Sequence, residues 1–490
     1  MEYNKLPQML KRYSFDEKMS ILQKYSKLIM SPTGLVEINE LRGLPLPWEL
    51  ETFLLFSITT KEWKNDKFSG DKEKNFIDAI NCIRNYTHPA LEQVKGTISF
   101  ADRFWIASEA VQFDIQEYYP YKLYRYNYYF SFSNNAVNMP ELFQEKFHCK
   151  YTDFIEFAQF LWLIFSDRTH IIPQQLFDYL ISKFQPVALN LSLTREQYIT
   201  ELNSITTSIS DYLFCLRPSY SYPFILEQGK MYLPLPHLLM RSVTSSLMYR
   251  LTDGENKLTE KIGKNVLEPY LYEIINESSI FDEVISEQEY KDEKGRTQRT
   301  LDVMARKDNT YVFFDSKMHS PKRNLRIFDD AGIMAEIEYL AEKCKQIYMH
   351  IRKRFPLLYN PFSCSQAVEQ SNVFGLVVIR DDPHIRTEHV YLKTAELLGI
   401  EKESSEFDWL CRHVGITAIY EIEKYCFTGS DLLSAIFSNS QTGKIHDFWL
   451  SSKLDRNTIL NTKVQTFKHN LADSCCLIAE ECKDAGVLSE

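Results

Sequence analysis

Glycine is scarce in this chain, with 15 residues among 490, so the sequence is not that of a glycine-rich or low-complexity protein. An excess of positive charge is also missing, because 66 acidic residues outnumber 56 basic ones and give a formal net charge of −10. This balance argues against a surface coated with basic residues for nucleic acid. Binding depends on where charge lies, however, and an acidic body with one basic cleft suits an enzyme that must release a polyanionic product.

Long apolar segments and an apolar leader are absent too. The longest apolar run, residues 157–165, falls well short of the ~20 residues that a membrane-spanning helix needs, and it predicts a buried helix instead. The first residues lead into a charged helix rather than a signal peptide. Ten cysteines are scattered without the C-x-x-C or Cys/His spacing of a zinc site, so we expect free thiols in a reducing cytoplasm.

The motifs of several enzyme classes are missing. There is no G-x-x-x-x-G-K-[ST] phosphate loop, no G-x-S-x-G nucleophile elbow and no H-E-x-x-H zinc helix. No internal period marks a repeat protein. These absences argue against ATP hydrolysis by a phosphate loop, against elbow-type hydrolases and against zinc proteases of that helix type.

Residues 299–320, read RTLDVMARKDNTYVFFDSKMHS, carry the strongest local pattern. Two runs rich in β-branched and aromatic residues flank the polar pair Asp308 and Asn309. This arrangement predicts a β-hairpin with a two-residue turn. Counting outward from that turn pairs Lys307 with Thr310.

The register of this hairpin brings charged residues together. Asp302 falls opposite Asp315, and Lys317 lies beside Asp315 because residues i and i+2 share a face of a strand. Two facing carboxylates repel each other, so a cation is expected between them: the lysine, or a divalent metal held by hard oxygen ligands. The other face is predicted to be an apolar core surface, formed by Leu301, Val303, Ala305, Val312 and Phe314.

Asp302, Asp315, Ser316 and Lys317, at the end of a buried hairpin, resemble the motif of the PD-(D/E)xK nuclease superfamily, which has the restriction-endonuclease-like fold. The resemblance covers about residues 255–425. It implies that Asp302 and Asp315 hold Mg²⁺ or Mn²⁺ together with the backbone carbonyl of Ser316, and that Lys317 orients or activates the attacking water. Because a lysine beside two carboxylates should stay protonated, a positioning and electrostatic role is favoured.

The same resemblance implies a further acid on the helix before the hairpin. Glu268 holds the place of the family's usual glutamate, with Leu271 and Ile275 on its side of the helix. Pro269 disfavours helical geometry at Glu268, and if the helix begins at Pro269, Glu273 becomes the candidate. The sequence leaves both alternatives open.

Basic residues follow the hairpin. Lys322, Arg323 and Arg326 lie in a loop that either grips the phosphates flanking a cut or is simply solvated. The family commonly places a lysine or glutamine from the next helix near the site, and Lys345 or Gln346 would play that part. We therefore expect Lys322, Arg323, Arg326 and Lys345 to bind nucleic acid, with DNA favoured over RNA.

Residues 1–250 are predicted to be mostly helical, beginning with a capping box at Ser14 and Glu17. One segment departs from this pattern, because tyrosine and phenylalanine alternate with period two from 118 to 132. This alternation favours a half-buried strand or a packed connection. The alternative is an aromatic platform on which exposed bases stack.

Strand, hairpin, helix, strand, helix and strand follow one another from 280 to 422, which is the order of an α/β core with a mixed sheet. We therefore predict an α+β or α/β protein with a restriction-endonuclease-like core. Its predicted parts are a mostly helical N-terminal domain at 1–252, the nuclease-like domain at 255–428 and a helical extension at 429–490. The N-terminal part would serve recognition, regulation or assembly, including contact with a protein partner or a second copy.

The resemblance implies a Mg²⁺-dependent endonuclease that hydrolyses phosphodiester bonds, with Asp302, Asp315, Lys317 and Glu268 as catalytic residues. By analogy with nucleases of this superfamily that carry large helical additions, it suggests bacterial anti-phage defence or restriction as the setting. The alternative is a nuclease-like fold without activity that serves as a binding or assembly module in a complex. No membrane association is expected.

Overall fold

The structure is a computed structural model, and it describes residues 2–36, 40–63, 71–92, 118–167, 172–321, 329–363, 367–442 and 459–488, together with residues 98, 99, 102, 103, 105, 106 and 325. Helices predominate, and the described strands form one five-stranded sheet and three smaller ones. The predicted α+β class is confirmed, with helices at both ends of the chain and a mixed sheet between them.

The N-terminal half is mostly helical, as predicted. Its helices are α1 (Leu6–Leu10), α2 (Phe15–Leu28), α3 (Pro47–Thr59), α4 (Lys72–Arg84), α5 (Pro89–Glu92), α6 (Tyr119–Ser131), α7 (Met139–Phe147), α8 (Tyr151–Ser166), α9 (Gln174–Lys183), α10 (Gln185–Asn190), α11 (Arg195–Ile205), α12 (Leu239–Ser242) and α13 (Ser245–Thr252). Its strands are β1 (Met30–Ser31) and β2 (Gly34–Leu35), which pair, and β3 (Ser192–Thr194), β4 (Phe224–Glu227) and β5 (Lys230–Tyr232), which form a small sheet. Short 3₁₀ turns lie at Tyr3–Lys5, Ile209–Asp211, Pro218–Tyr220 and Pro236–Leu238.

Two local predictions in this half are confirmed. The hydroxyl of Ser14 accepts a hydrogen bond from the backbone N–H of Glu17, whose carboxylate accepts one from the backbone N–H of Ser14, so α2 begins with the expected capping box. The apolar run at 157–165 belongs to α8, which is largely buried.

The prediction of a strand or connection at 118–132 is wrong, because residues 119–131 form the helix α6. Tyr126, Tyr129 and Phe130 are buried there, so they do not form an exposed platform for bases either. A helix that is apolar on most of its circumference is stable when neighbours cover it on several sides. Here α7, α8 and two later helices, Ile419–Thr428 and Thr462–Asp484, all contact α6, so the period-two pattern of tyrosines does not indicate a strand in that setting.

The C-terminal half contains α14 (Asn256–Ile262), a π-helical turn (Gly263–Leu267), α15 (Glu268–Glu277), α16 (Asp330–Tyr348), a second π-helical turn (Met349–Arg354), a 3₁₀ turn (Gln370–Asn372), α17 (Thr387–Leu398), α18 (Ser405–His413), α19 (Ile419–Thr428), α20 (Leu432–Thr442) and α21 (Thr462–Asp484). Its strands are β6 (Glu283–Ser286), β7 (Glu289–Lys291), β8 (Thr297–Arg299), β9 (Val303–Lys307), β10 (Thr310–Lys317), β11 (Val373–Ile379) and β12 (Val414–Ala418).

The five-stranded sheet has the strand order β12-β11-β10-β9-β6. Strands β6, β9 and β10 are antiparallel neighbours, whereas β10, β11 and β12 run parallel. The predicted hairpin is confirmed, because Lys307 pairs with Thr310 around a turn in which Asp308 adopts a φ of 51°. A second hairpin, β7–β8, lies apart from this sheet as its own two-stranded ribbon.

Both faces of the sheet are buried. Val303, Ala305, Val312 and Phe314 belong to one apolar core, as predicted, whereas Met304, Tyr311 and Phe313 belong to a second core that includes the apolar face of α16. The prediction for Leu301 is wrong, since this residue lies in the second core. Its place differs because β9 begins at Val303, so the alternation of a strand does not extend back to Leu301.

The first core joins the predicted parts of the chain. It contains residues of α8, of β9 and β10, and of α21, so apolar packing crosses both predicted domain boundaries. The division at 252 and 428 stays a prediction. The nine cysteines that the structure describes are free thiols, and no helix within the described ranges is long and apolar enough to cross a membrane.

A glycine in the central strand β11 lets α16 approach the sheet. A Cβ placed on Gly375 would lie 2.1 Å from Cγ2 of Ile347 and 3.2 Å from Cδ1 of Ile351, both of which are too short for an ordinary contact at that point. The absence of a side chain therefore sets the distance between α16 and the face of β11.

This contact predicts that Gly375→Ala will lower the free energy of unfolding by about 1–3 kcal/mol, because the added methyl group overpacks the interface. Ile347→Ala removes Cγ2 and is destabilising by itself, by about 2–5 kcal/mol. The double variant should lose less stability than the sum of the two single losses, because the clash is gone. Urea unfolding followed by circular dichroism measures all three variants, and strictly additive losses would contradict the packing argument.

Candidate functional site

The candidate site lies where the hairpin of β9 and β10 ends. The ladder closes with Val303 opposite Phe314, so Asp302 and Asp315 come one residue beyond the last pair. Oδ2 of Asp302 accepts hydrogen bonds from the backbone N–H of Ser316, at 2.6 Å, and from the Ser316 hydroxyl, at 2.9 Å. These two bonds hold the Asp302 carboxylate against β10 in the predicted neighbourhood of Asp315.

Lys317 pairs with Asp315 as the strand register predicts. Its Nζ lies 2.8 Å from Oδ1 of Asp315. The other oxygen, Oδ2, is buried and has no hydrogen-bond partner among the described residues. Burial alone would lower the pKa of Lys317, but the carboxylates of Asp315 and Asp302 raise it above its usual value. The ammonium group therefore stays protonated, as expected.

Two acids of the site hold their protons unusually tightly. Burial, and then the charge of Asp315, raises the pKa of Asp302 to about 6, although Lys317 opposes the shift. Burial, and then the charges of Asp302 and Glu287, raises the pKa of Glu268 to about 8. The site thus gathers more negative charge than Lys317 alone offsets.

The structure brings Glu268, rather than Glu273, to these carboxylates. Glu268 is the first residue of α15 and has helical angles of φ −58° and ψ −51°, because the π-helical turn before it continues into the helix. Pro269 is then the second residue of α15, in its first turn. Glu273 instead accepts a hydrogen bond from the hydroxyl of Tyr128, at 3.2 Å, and forms an ion pair with Lys463.

The predicted nucleic-acid residues are placed only in part. Lys322, Arg323 and Arg326 lie outside the described residues. Lys345 is half-buried on α16 and forms an ion pair with Glu342, in which Nζ lies 3.4 Å from the carboxylate.

Two other residues of α16, Tyr339 and Lys343, interact electrostatically with the site. Burial raises the pKa of Tyr339, and the positive charge of Lys317 opposes this increase. Burial lowers the pKa of Lys343, and the charge of Lys317 lowers it further. The sequence pointed to Lys345 or Gln346 from this helix, and not to Tyr339 or Lys343.

The predictions also missed a histidine next to the site. His319 stacks on Tyr339 with ring centroids 4.3 Å apart, and its Nε2 shares a hydrogen bond with Oε1 of Glu336. Two signals in the sequence point to this cluster. His319 follows Lys317 by two residues, and Glu336, Tyr339 and Lys343 have the i, i+3, i+7 spacing of one helix face.

The chemistry of the donor set fits a hard divalent cation. Asp302 and Asp315 offer carboxylate oxygens, one of which is buried and unpartnered, and the Ser316 carbonyl follows Asp315 directly in sequence. Among the described residues, however, no three His, Cys, Asp or Glu side chains are grouped closely enough to hold a metal ion as they stand. A cation bound here would therefore be held by the two carboxylates and the Ser316 carbonyl. The side chain of Glu268 would have to move to become a further ligand.

Comparison with known proteins adds no identification, because no family model, no curated protein and no solved structure matches the chain.

The raised pKa values predict a stability that falls with pH. In the unfolded chain Glu268 and Asp302 ionise near their usual values of 4.5 and 3.8, whereas in the folded protein they ionise near about 8 and about 6. The folded state therefore binds more protons between these limits, and it loses stability as the pH rises through them. Glu268→Gln, which cannot ionise, should lose less stability between about pH 5 and about pH 8 than the wild type.

Thermal unfolding at a series of pH values measures this difference. Glu273→Gln is the matched control, because it makes the same change on the same helix at a residue held by Lys463. It should keep the slope of the wild type in that range. An identical pH dependence for the wild type and Glu268→Gln would show that Glu268 is not buried among acids.

Proposed function

We propose that this protein is a metal-dependent nuclease that hydrolyses phosphodiester bonds, with DNA as the favoured substrate. The observation that carries the proposal is the meeting of Asp302, Asp315, Lys317 and Glu268 at one end of the hairpin. A pair of buried acids with raised pKa values, an unpartnered carboxylate oxygen and a protonated lysine is a costly arrangement for a protein that needs only stability.

Each residue has a distinct role in this proposal. Hydrolysis of a phosphodiester is slow because its negative charge repels the nucleophile, and a bound divalent cation neutralises that charge and lowers the pKa of a water molecule. Asp302, Asp315 and the Ser316 carbonyl would hold the ion, with Glu268 as a further ligand. Lys317 orients the attacking water or stabilises the developing negative charge, and its raised pKa makes it a poor base.

We propose that the chain is related to the PD-(D/E)xK superfamily. The mixed sheet with β9 and β10 at its centre, preceded by α15 and followed by α16, supports it. A cytoplasmic location is proposed from the scattered cysteines of the sequence, and a role in anti-phage defence or restriction from analogy with that superfamily. Under this proposal the helical N-terminal part contacts a protein partner or a second copy.

The proposal predicts cleavage that depends on Asp302 and Lys317. Wild-type protein with Mg²⁺ or Mn²⁺ should cut at least one of duplex DNA, single-stranded DNA and RNA, and chelation should stop it. Asp302→Asn and Lys317→Met should abolish cleavage, because each removes a charge of the site while nearly keeping the side-chain volume. Gel electrophoresis of the products measures the activity, and circular dichroism checks the fold.

Lys307→Met is the matched control, because Lys307 lies at the turn end of the same hairpin. This variant should cut like the wild type. Cleavage by Lys317→Met at the wild-type rate would refute the proposed site, as would a wild type that cuts none of the three nucleic acids.

A second candidate is a nuclease-like binding or assembly module without activity. The observation in its favour is that the Lys317 ammonium already neutralises Asp315, while the described residues offer no ready group of three metal ligands. In such a module the lysine would serve as a permanent counterion and a metal would be unnecessary.

Calorimetric titration with Mn²⁺ separates the two candidates. The nuclease proposal expects saturable binding that Asp302→Asn weakens by at least about tenfold, as the loss of a charged ligand commonly does. Binding should also release protons near pH 7, because the pKa of Glu268 is about 8 and its ionised form is the ligand. Heats that are absent, or that are equal in wild type and variant, would favour the binding module.

A further inference from the structure

A carboxylate–histidine pair lies beside the proposed site and has no role in it so far. His319 lies two residues beyond the end of β10, and its backbone N–H donates to the carbonyl oxygen of Lys317 at 2.7 Å, which turns the chain there. Its side chain is 15% exposed, whereas the Glu336 carboxylate that it contacts is 1% exposed. The ring is therefore held by a buried carboxylate on one side and is partly exposed to solvent on another.

Two contacts fix the orientation of this ring. Nε2 of His319 shares a hydrogen bond with Oε1 of Glu336, and the ring stacks on Tyr339 with 20° between their planes. Nδ1 makes no hydrogen bond within the part of the chain that the structure describes. A carboxylate at one ring nitrogen orients an imidazole and leaves the other nitrogen to exchange protons.

Tyr339 and Lys317 link the ring to the acids of the site. Tyr339, on which His319 stacks, interacts electrostatically with both Lys317 and Asp315. Lys317 lies on the same strand as Asp315 and two residues before His319. His319 is thus a neighbour of the site and separate from the group of residues that would hold a cation.

We propose that His319 is a further catalytic residue of the nuclease, which donates a proton from Nδ1 to the oxygen that leaves phosphorus. This inference rests on the proposed function. Glu336 is a positioning residue in it, because it acts only through the imidazole.

The step balances with water as the single co-reactant. The oxygen of the water forms a bond to phosphorus, and the bond from phosphorus to the leaving oxygen breaks, with its electron pair going to that oxygen. The leaving oxygen takes the proton from Nδ1 and departs as an alcohol. The attacking water gives one proton to solvent, and His319 regains a proton from solvent, so the protein ends unchanged.

Other nearby donors are less suited to this transfer. Lys317 is engaged by Asp315, and burial raises the pKa of Tyr339, which makes its hydroxyl a weaker acid. Lys343 is the closest rival, since its Nζ lies 5.2 Å from the centre of the Tyr339 ring. The test must therefore distinguish His319 from Lys343.

A sulfur substitution in the substrate provides that test. The bond that the wild type cuts is mapped first, in whichever of duplex DNA, single-stranded DNA and RNA it cleaves, and the leaving oxygen of that bond is then replaced by sulfur. A thiolate is a far weaker base than an alkoxide and departs without a proton. Rates are measured with Mn²⁺ under single-turnover conditions with saturating protein, so that they report bond cleavage rather than product release.

His319→Asn should cut the oxygen substrate about 10²-fold or more slowly than the wild type, which is the usual size of general acid catalysis. It should cut the sulfur substrate at nearly the wild-type rate. Glu336→Gln should show a smaller loss with the same dependence on the leaving atom. His148→Asn is the matched control, because His148 is exposed and remote in sequence, and it should match the wild type on both substrates.

Equal losses on both substrates, or no loss on either, would overturn the role of His319 while the proposed nuclease stands. The role of His319 would also be overturned if the sulfur substrate restored the cleavage rate of Lys343→Met but not that of His319→Asn. That result would assign the proton donor to Lys343. A wild type that cuts neither DNA nor RNA refutes the proposed function, and the role of His319 falls with it. Thermal unfolding of His319→Asn beside the wild type shows whether a lost rate reflects a lost fold.

Discussion

Mutual repulsion among buried carboxylates is the constraint on which this site depends. Asp302 and Glu268 favour the charged form in water, and burial close to other carboxylates, Asp315 among them, makes that form costly. Lys317 offsets part of the cost through its ion pair with Asp315, and the backbone of Ser316 offsets another part at Asp302. The rest is carried by the sheet and helices, whose apolar packing keeps the acids in place although they repel each other.

The helical parts of the chain contribute directly to that support. Arg125 on α6 and Glu423 on α19 form an ion pair that is almost fully buried, and the hydroxyl of Tyr270 donates to the same carboxylate at 2.7 Å. Tyr270 lies on α15, two residues after Glu268. Segments from the N-terminal and C-terminal parts of the chain thus hold the helix that carries the third acid, and the loss of either charged partner would leave the other buried without compensation.

Helix α16 connects the sheet with the polar residues around the site. One stripe packs on β11 at the point where Gly375 has no side chain, and another presents Glu336, Tyr339 and Lys343 towards the end of β10. A shift of this helix on the sheet would therefore move Glu336 and Tyr339 relative to His319, which follows β10. Packing and site geometry are coupled through the same element.

The sequence by itself determined the hairpin and the meeting of Asp302, Asp315 and Lys317. The turn at Asp308 and the alternation along β10 are local properties, and they set the register without reference to the rest of the chain. The α+β class was equally readable, because the order of elements is written along the chain.

The tertiary structure alone decided which residues join them, because burial depends on elements remote in sequence. The tyrosine-rich segment at 118–132 contains helix α6, because neighbouring helices cover it on several sides, although its period-two pattern indicates a strand. Glu268 is helical although Pro269 follows it, and His319 contacts Glu336 because α16 packs against the sheet. Local propensity can indicate a strand, but proximity across the fold and the resulting pKa shifts arise only from packing.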